Sequence, residues 1–477
     1  MSQKESQSII VLIGGGPLSG KKTLSSQISN LLNEKESNVK DSMALSEDST
    51  ICTTIDMSLY YFGNGDSKTN IYVPESIDFE LLCNHLKELR IGKTIEAPHY
   101  SIIQGERLQG VTHPIKPAKV IIVHGMFALN NTELVNIADI TAFVECSETD
   151  IVFRRYKYVE QPDEFIFCLE STQRRLGQAR DSKILYIDPK KDTANIVLNN
   201  NNHNEFQGTT CLVPKILTSL LKFGNTDPVL LEKIKLLILK LSAKNSNPIN
   251  ENYPLLVVIG GGSCSGKTTL SKQIMKFLND AVPNTCTLIS MDSYYLGNGE
   301  PNKNYDEPQA LDFNLMIDQF NQLRCGNPVE IPVYDFVTHS RKSEYLLVNP
   351  TKVIIVEGIF ALTNNDLIDI ADITAFVECR EGEVASRRIF RDINERGRNI
   401  NSIELQYKDV IQGKKMYIDP TKHKADIILN NNEHNKFQGL ACLIPKILIS
   451  LLGITNNDEA TLQTTIDLMS KIEGVKI

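Results

Sequence analysis

A tandem repeat is the feature that most constrains how this chain can fold. The segment IIVLIGGGPLSGKKTLSSQI near the N-terminus returns as LLVVIGGGSCSGKTTLSKQI from Leu255, and VIIVHGMFAL from Val120 returns as VIIVEGIFAL from Val353. YYFGNG, ITAFVEC, YIDP and CLVPKIL recur in the same order, the last of them as CLIPKIL. Because ordered self-similarity marks a duplicated structural unit, the sequence predicts one domain of about 200 residues written twice.

The repeat also predicts the domain boundaries. We place a first copy at residues 8–223 and a second copy at residues 254–452. Residues 224–253 combine a helix-like run, Leu230–Leu241, with the polar segment SAKNSNPINEN, which is typical of a linker. Residues 453–477 are predicted to form a short helical tail.

Each copy alternates apolar runs with longer helical patterns. The runs LLVVI, VIIV and ITAFV are continuously apolar and rich in β-branched residues, as expected of parallel strands that are buried on both faces. Strands that alternate with helices predict a parallel sheet covered by helices on both sides. The fold class is therefore α/β, in two copies.

The second copy contains a complete phosphate-binding motif. GGSCSGKT at Gly261–Thr268 fits the pattern GxxxxGK[ST], between a strand-like run and the helix-like run Leu270–Leu278. Lys267 is expected to reach the β- and γ-phosphates of ATP or GTP, and the Thr268 hydroxyl to bind Mg²⁺. The predicted ATP-binding residues are Gly261, Gly262, Ser263, Cys264, Ser265, Gly266, Lys267, Thr268 and Thr269. The motif predicts that both copies are P-loop NTPase-type domains.

Two acidic residues follow apolar runs of the second copy. Glu357 ends VIIVE, where a carboxylate beside a phosphate loop can bind Mg²⁺; a plain charged strand end is the alternative. Asp292 follows TLISM, where it can orient an acceptor hydroxyl and take its proton; a turn cap is the alternative. Thr268 and Glu357 are thus the metal ligands that the residues themselves predict.

Composition indicates which classes of partner and which cellular compartment are compatible with the chain. The formal net charge is −8 and no long basic run occurs, which argues against a surface for nucleic acid or anionic membranes. No apolar stretch has the length of a membrane span, and the start MSQKESQS has no signal-peptide pattern. The ten cysteines form no CxxC pair, which indicates reduced thiols. We expect a cytoplasmic protein.

Several motifs of the second copy carry a resemblance to a known family. NYDEPQALDF, IPVYDFVTHSR, SRRIFRDINERGR and ADIIL follow one another between Asn304 and Leu429. With the phosphate loop, they resemble the uridine–cytidine kinases, within the wider uridine kinase and phosphoribulokinase group. The resemblance implies ATP-dependent phosphorylation of uridine or cytidine at the 5′-hydroxyl, giving UMP or CMP in pyrimidine salvage. It also implies Mg²⁺ as cofactor and, because family members often form tetramers, a dimer of tandem units.

The resemblance assigns roles residue by residue. It implies that Asp292 is the general base and a third Mg²⁺ ligand beside Thr268 and Glu357. It also implies that Asp306 holds the ribose hydroxyls and that His339 reads the pyrimidine edge. The implied catalytic residues are Asp292, Lys267, Arg391 and Arg396, the two arginines neutralising the transferring phosphate. The implied substrate-binding residues are Tyr305, Asp306, Tyr334, Phe336, His339, Arg388, Arg398 and Gln406.

The first copy lacks most of these groups. Lys22 stands at the position of Thr268, His124 at that of Glu357 and Ser58 at that of Asp292, with Asp56 two residues upstream. The other replacements are Tyr72 for Asp306, Ser101 for Asp335, Gly105 for His339 and Tyr158 for Arg391. We predict a kinase-like domain without kinase activity, and we hypothesise a built-in partner or regulatory role with weak, magnesium-free nucleotide binding.

Two alternatives stay open from the residues. A P-loop kinase could use another hydroxyl acceptor, such as pantothenate or ribulose phosphate. The PVYDFVTHSR segment speaks against a sugar phosphate, which would require additional basic residues there. The other alternative is a nucleotide-binding regulatory protein in which both copies are inactive, which fits the first copy better than the second.

Overall fold

The computed structural model describes most of both copies. The described residues are 8–34, 50–63, 70–101, 104–147, 150–151, 154, 177–200, 208–224, 228–244, 254–297, 305–335, 338–394, 410–431, 439–454 and 459–472. The chain divides into two compact units, Met1–Leu237 and Ile238–Ile477. The division falls within residues 224–253, the segment that the sequence assigns to the linker.

The first unit is built on a parallel sheet of five strands in the order β2-β5-β1-β6-β7. The strands of this sheet are β1 (Ile9–Gly15), β2 (Cys52–Asp56), β5 (Val120–His124), β6 (Ile140–Glu145) and β7 (Ile196–Asn199). All seven residues of β1 are buried, and because alternate side chains point to opposite faces, both faces of the sheet are covered.

The second unit repeats this arrangement in the order β9-β12-β8-β13-β14. Its parallel strands are β8 (Leu255–Gly261), β9 (Cys286–Ser290), β12 (Val353–Glu357), β13 (Ile373–Glu378) and β14 (Ile427–Asn430). The runs LLVVI, VIIV and ITAFV all lie in these strands, so the predicted α/β class is confirmed. The phosphate loop follows the central strand, at the carboxyl edge where ligands bind in open α/β sheets.

Helices connect the strands of both units. The helices of the first copy and linker are α1 (Lys21–Asn33), α2 (Phe79–Arg90), α3 (Thr132–Ile137), α4 (Gly208–Gly224) and α5 (Pro228–Lys244). Those of the second copy and tail are α6 (Lys267–Ala281), α7 (Phe313–Arg324), α8 (Asn365–Asp369), α9 (Glu381–Asn394), α10 (Gly439–Ile454) and α11 (Glu459–Lys471). Among the helices of the described ranges, none is long and apolar enough to span a bilayer.

Each unit also carries an antiparallel hairpin that the strand patterns did not predict. The hairpin strands are β3 (Ile95–Ser101) with β4 (Glu106–Ile115), and β10 (Val329–Asp335) with β11 (Ser340–Val348). Both hairpins change register at equivalent points, between Pro98 and Tyr100 and between Pro332 and Tyr334. Such an irregularity re-aims the following side chain, here a tyrosine in both copies.

Candidate active site

The phosphate loop of the second copy joins the end of β8 to the start of α6. Gly266 precedes the helix with φ of 101°, and Gly261 has φ of 137°. A Cβ atom on Gly261 would lie 2.3 Å from the carbonyl oxygen of Val377, so this position requires glycine. The loop ends at a helix N-terminus, where backbone N–H groups and the helix dipole favour a phosphate anion.

Lys267 is the first residue of α6 and is buried. Its ammonium group donates a hydrogen bond to the carbonyl oxygen of Gly262 at 2.7 Å. Burial lowers the pKa of Lys267, an effect that the carboxylates of Glu357 and Asp292 partly oppose. A buried ammonium group is costly, and a phosphate anion in the loop would offset that cost.

Asn431 holds the phosphate loop from the end of β14. Its side-chain amide donates to the Ser265 carbonyl oxygen at 2.7 Å, and its backbone N–H donates to Glu378 at 2.7 Å. Asn200 makes the equivalent side-chain bond to Ser19 in the first copy, at 2.6 Å. Sequence reasoning missed this residue; the signal was an asparagine at the same place in both copies.

Oxygen ligands converge beside Lys267 on the predicted metal site. Glu357, which ends β12 and is 5% exposed, accepts a hydrogen bond from the Ser290 hydroxyl at 3.1 Å. The Thr268 hydroxyl also bonds to the Glu357 carboxylate and lowers its pKa, but burial dominates and raises that pKa overall. Hydroxyl and carboxylate oxygens suit Mg²⁺, whose charge would offset the burial of Glu357. The residues therefore fit the ion.

Asp292 connects the metal site to the acceptor side. It lies in a 3₁₀ turn, Met291–Tyr294, directly after β9, and its backbone N–H donates to the Ser290 hydroxyl at 3.3 Å. Burial raises the pKa values of both Glu357 and Tyr334, and the negative charge of Asp292 adds to both shifts. The structure thus brings the predicted general base close to the predicted metal ligands and to an aromatic residue of the acceptor side.

Four rings form what we name the acceptor cluster: Tyr295, Tyr305, Tyr334 and His339. The rings of Tyr305 and His339 stack, with centroids 4.9 Å apart and planes at 15°. Tyr334 contacts Tyr295 at 5.3 Å and Tyr305 at 6.5 Å between centroids. His339 has φ of 50°, a left-handed backbone conformation that a side chain rarely adopts. Three predicted substrate residues therefore lie together, and Tyr295 joins them.

Arg341 anchors the β10–β11 hairpin beneath this cluster. Its guanidinium donates to the carbonyl oxygens of Tyr294 and Tyr295, each at 2.9 Å, and pairs with Asp312 at 3.3 Å. Arg107 repeats the arrangement in the first copy and pairs with Asp78 at 2.9 Å. No role was predicted for these residues from the sequence, although both copies contain the pair.

The predicted lid arginines divide between two environments. Arg388 is 5% exposed, and its guanidinium donates to the Ser263 hydroxyl of the phosphate loop at 3.4 Å. Asp392, fully buried, pairs with Arg388 at 3.5 Å and with Arg391 at 2.8 Å. The resemblance implies that Arg388 holds the nucleoside; in the structure its guanidinium contacts Ser263 of the phosphate loop and Asp392. Burial lowers the pKa of Arg388, and Asp392 opposes this shift.

The remaining predicted residues are only partly described. The backbone of Asp306 lies against Gly413, where a Cβ atom would be 2.8 Å from the Asp306 carbonyl oxygen. Lys414 follows; its ammonium group pairs with Asp419 at 2.7 Å, and its methylene carbons pack against Gly262. Sequence reasoning missed Lys414, which Lys183 matches in the first copy. Phe336, Arg396, Arg398 and Gln406 lie outside the described residues.

The first copy keeps the frame of this site with different side chains. Asp56 is the strand partner of His124, just as Ser290 is the partner of Glu357. Asp56 therefore matches Ser290, and Ser58 matches Asp292. His124 is buried, which lowers its pKa; Asp56 opposes the shift, while Lys21 and Lys22 add to it. An imidazole and an additional lysine replace oxygen ligands, so these residues do not fit Mg²⁺.

Comparison with known proteins assigns the family. The Phosphoribulokinase / Uridine kinase family matches residues 10–206 and 256–438. A uridine kinase from Staphylococcus epidermidis is 40% identical over 192 residues, which are 39% of this chain and 91% of that protein. One from Brevibacillus brevis is 37% identical over 213 residues, 43% of this chain and 98% of that protein.

Similar solved structures include that of a possible uridine kinase from Bacillus stearothermophilus, which is 21% identical to this chain. The matched region covers 40% of this chain and 97% of the other, with a TM-score of 0.28. The assignment rests on the two family matches, which together span most of the sequence, and on the sequence relatives. The chain belongs to the phosphoribulokinase/uridine kinase family, P-loop kinases that transfer phosphate to a hydroxyl acceptor.

Proposed function

We propose that the second copy phosphorylates uridine, cytidine or both at the 5′-hydroxyl, with ATP or GTP as donor, in pyrimidine salvage. The observation that carries this proposal is the place of Asp292. Its backbone N–H donates to the Ser290 hydroxyl, which in turn donates to Glu357. Its negative charge acts on Lys267 on the donor side and on Tyr334 of the acceptor cluster on the other. The names of the relatives, uridine kinases over most of their length, support the choice of acceptor.

In this proposal the phosphate loop binds the nucleoside triphosphate that donates the phosphate. Lys267 binds the β- and γ-phosphates, and the loop glycines admit the phosphates to the backbone N–H groups. Thr268, Asp292 and Glu357 hold Mg²⁺, which neutralises charge on the phosphates when bound. Arg388, already against Ser263, and Arg391 add positive charge near the transferring phosphate, together with Arg396.

The acceptor side follows from the aromatic cluster. Tyr305 and His339 contact the pyrimidine, His339 reading its edge, while Asp306 holds the ribose hydroxyls. Asp292 then accepts the proton of the 5′-hydroxyl as that oxygen bonds to the γ-phosphorus, while the bond from the γ-phosphorus to the bridging oxygen breaks and the nucleoside diphosphate leaves. The remaining proposed contacts with the nucleoside come from Tyr334, Phe336, Arg388, Arg398 and Gln406.

The first copy, in this proposal, folds as a kinase domain without turning substrate over. Lys22 and His124 replace metal ligands, and Ser58 replaces the base. The copy serves as a built-in partner or regulatory domain. If a Lys21→Ala, Lys22→Ala variant loses most of its turnover while the second site is intact, the first copy is not an inert scaffold.

The proposal extends to assembly and location. We propose a dimer of tandem units in the cytoplasm. Among the described cysteines, nine in number, none is paired in a disulfide, which suits a reducing compartment. Light scattering of the purified chain tests the assembly, and a monomer at working concentration would refute it.

One assay separates the proposed reaction from its alternatives. Purified protein is incubated with ATP, Mg²⁺ and, in turn, uridine, cytidine, adenosine, pantothenate and ribulose 5-phosphate. The expected result is phosphorylation of uridine or cytidine that the Asp292→Asn variant loses. Turnover of only a non-nucleoside would support a different acceptor, and nucleotide binding without any turnover would support a regulatory protein.

A further inference from the structure

The phosphate loop of the first copy keeps the backbone shape of the second. Gly15 and Gly20 have φ of 140° and 99°, against 137° and 101° at the matching glycines of the second copy. Leu18 has φ of 56° and the matching Cys264 has φ of 57°, a left-handed conformation that neither side chain favours. The first copy therefore retains a formed cradle for a phosphate group.

The lysine of this cradle is also retained. Lys21 is 8% exposed, and its ammonium group donates to the Gly16 carbonyl oxygen at 2.5 Å and to the Ser19 hydroxyl at 3.4 Å. No ion pair of Lys21 occurs among the described residues, so its partners there are neutral oxygens. A buried ammonium group with neutral partners favours an anion that would compensate its charge.

The charge around the cradle differs between the copies. In the second copy Lys267 is opposed by two carboxylates, Glu357 and Asp292. In the first copy Asp56 supplies the carboxylate that acts on Lys21, with a smaller effect from Cys146, while His124 and Ser58 occupy the two acidic positions. The carboxylates of the second site therefore require a bound cation beside the phosphate. In the first copy the ammonium group of Lys22 is itself such a cation.

We propose that the first copy binds the oligophosphate chain of a nucleoside di- or triphosphate as the metal-free anion, with Lys22 in the place of Mg²⁺. Lys21 and the loop backbone hold one phosphate, and the Lys22 ammonium group neutralises the next. Mg²⁺ does not assist this binding because His124 and Lys22 replace its oxygen ligands. The proposal concerns binding and does not depend on turnover by the second copy.

The test uses the full chain with Lys267→Ala, which removes the lysine of the second loop. Calorimetric titration with ATP in EDTA is expected to give one binding site per chain. Adding Lys21→Ala should weaken this binding at least about tenfold, because a charge-assisted contact is lost. Excess Mg²⁺ should also weaken the apparent binding of ATP, since the ion forms a complex with ATP and lowers the concentration of the metal-free anion. Lys93→Ala, which removes an exposed charge outside the loop, is the matched control.

A second variant keeps the test decisive if Lys21→Ala fails to fold. Lys22→Thr with His124→Glu, again in the Lys267→Ala background, restores the residue types of the second copy. Its ATP binding is expected to fall in EDTA and to recover with Mg²⁺. Titration with inorganic triphosphate shows whether the anion alone suffices. Absence of binding in EDTA, or binding by the unmodified first loop only when Mg²⁺ is present, would overturn the proposal.

Discussion

Replacing Glu357 with glutamine should raise the stability of the second unit and abolish its metal-dependent activity at the same time. Glutamine keeps the shape of the side chain and one oxygen that can accept the hydrogen bond from Ser290. It removes a negative charge that is 5% exposed at the end of β12. The two effects have opposite signs because the negative charge is costly to the fold, whereas the proposed Mg²⁺ site requires it.

The sign of the stability effect follows from the pKa. Burial raises the pKa of Glu357 above that of an unfolded chain, although Lys267 and two hydroxyl groups oppose the shift. The ionised group is therefore less favourable in the fold than in water. This penalty is present above the folded pKa and disappears as the pH falls through and below it. At neutral pH without metal, Glu357→Gln should be more stable, by about 1 kcal/mol on the scale of such replacements.

Thermal denaturation in EDTA measures this gain. For a domain of about 200 residues, about 1 kcal/mol corresponds to a rise of roughly 2–4 °C in the melting temperature. The additional stabilisation of wild type by Mg²⁺ and ATP should be absent from Glu357→Gln, and kcat should fall at least about a hundredfold. Glu344→Gln, which removes an exposed carboxylate from β11, should change neither quantity. A lower melting temperature in EDTA, or retained stabilisation by Mg²⁺, would refute the reasoning.

Three further predictions test other parts of the site. Thr268→Lys gives the second copy the residue of the first. It should reduce kcat/KM about a thousandfold or more, measured by steady-state kinetics, because an ammonium group replaces a proposed Mg²⁺ ligand. Recovery of activity at high Mg²⁺ would contradict this. His339→Ala removes the ring that stacks on Tyr305 at 4.9 Å. It should raise the KM for the nucleoside roughly tenfold and leave the KM for ATP unchanged. Equal changes in the two KM values would indicate a general distortion of the site. Burial lowers the pKa of Lys21 to about 8. Below that pH the buried side chain is charged and destabilises the first unit. The free energy of unfolding should therefore rise as the pH increases from the folded pKa towards the pKa of lysine in the unfolded chain. Lys21→Met should therefore have a higher melting temperature than wild type at pH 7, and the difference in melting temperature should be smaller at pH 10. A difference that does not change with pH would argue against titration of Lys21.

Local patterns were sufficient to predict the frame of the molecule. The strands around Leu255, Val353 and Ile373 are continuous apolar runs, and GGSCSGKT fixes a loop between strand and helix. Each of these signals lies within one short segment, so no knowledge of distant contacts was needed.

Contacts between distant segments were not predictable in the same way. Asn431 reaches Ser265 across 166 residues, and Arg341 holds carbonyl groups of a turn 46 residues earlier. Asn431 has no local motif, and Arg341 ends the IPVYDFVTHSR segment without a pattern that indicates these contacts; the signal for both is their presence in the two copies. The β10–β11 hairpin was missed because its outer strand is mostly exposed and does not alternate between apolar and polar residues.

The central claim is that phosphoryl transfer belongs to the second copy alone. Its most direct test compares two full-chain variants at matching positions, Asp292→Asn and Ser58→Asn, in the phosphorylation of uridine and cytidine by ATP and Mg²⁺. The account predicts that Asp292→Asn loses about 10²- to 10⁴-fold in kcat, the usual contribution of a general base, while Ser58→Asn keeps the wild-type rate. Comparable losses in both variants, or full activity in Asp292→Asn, would contradict it.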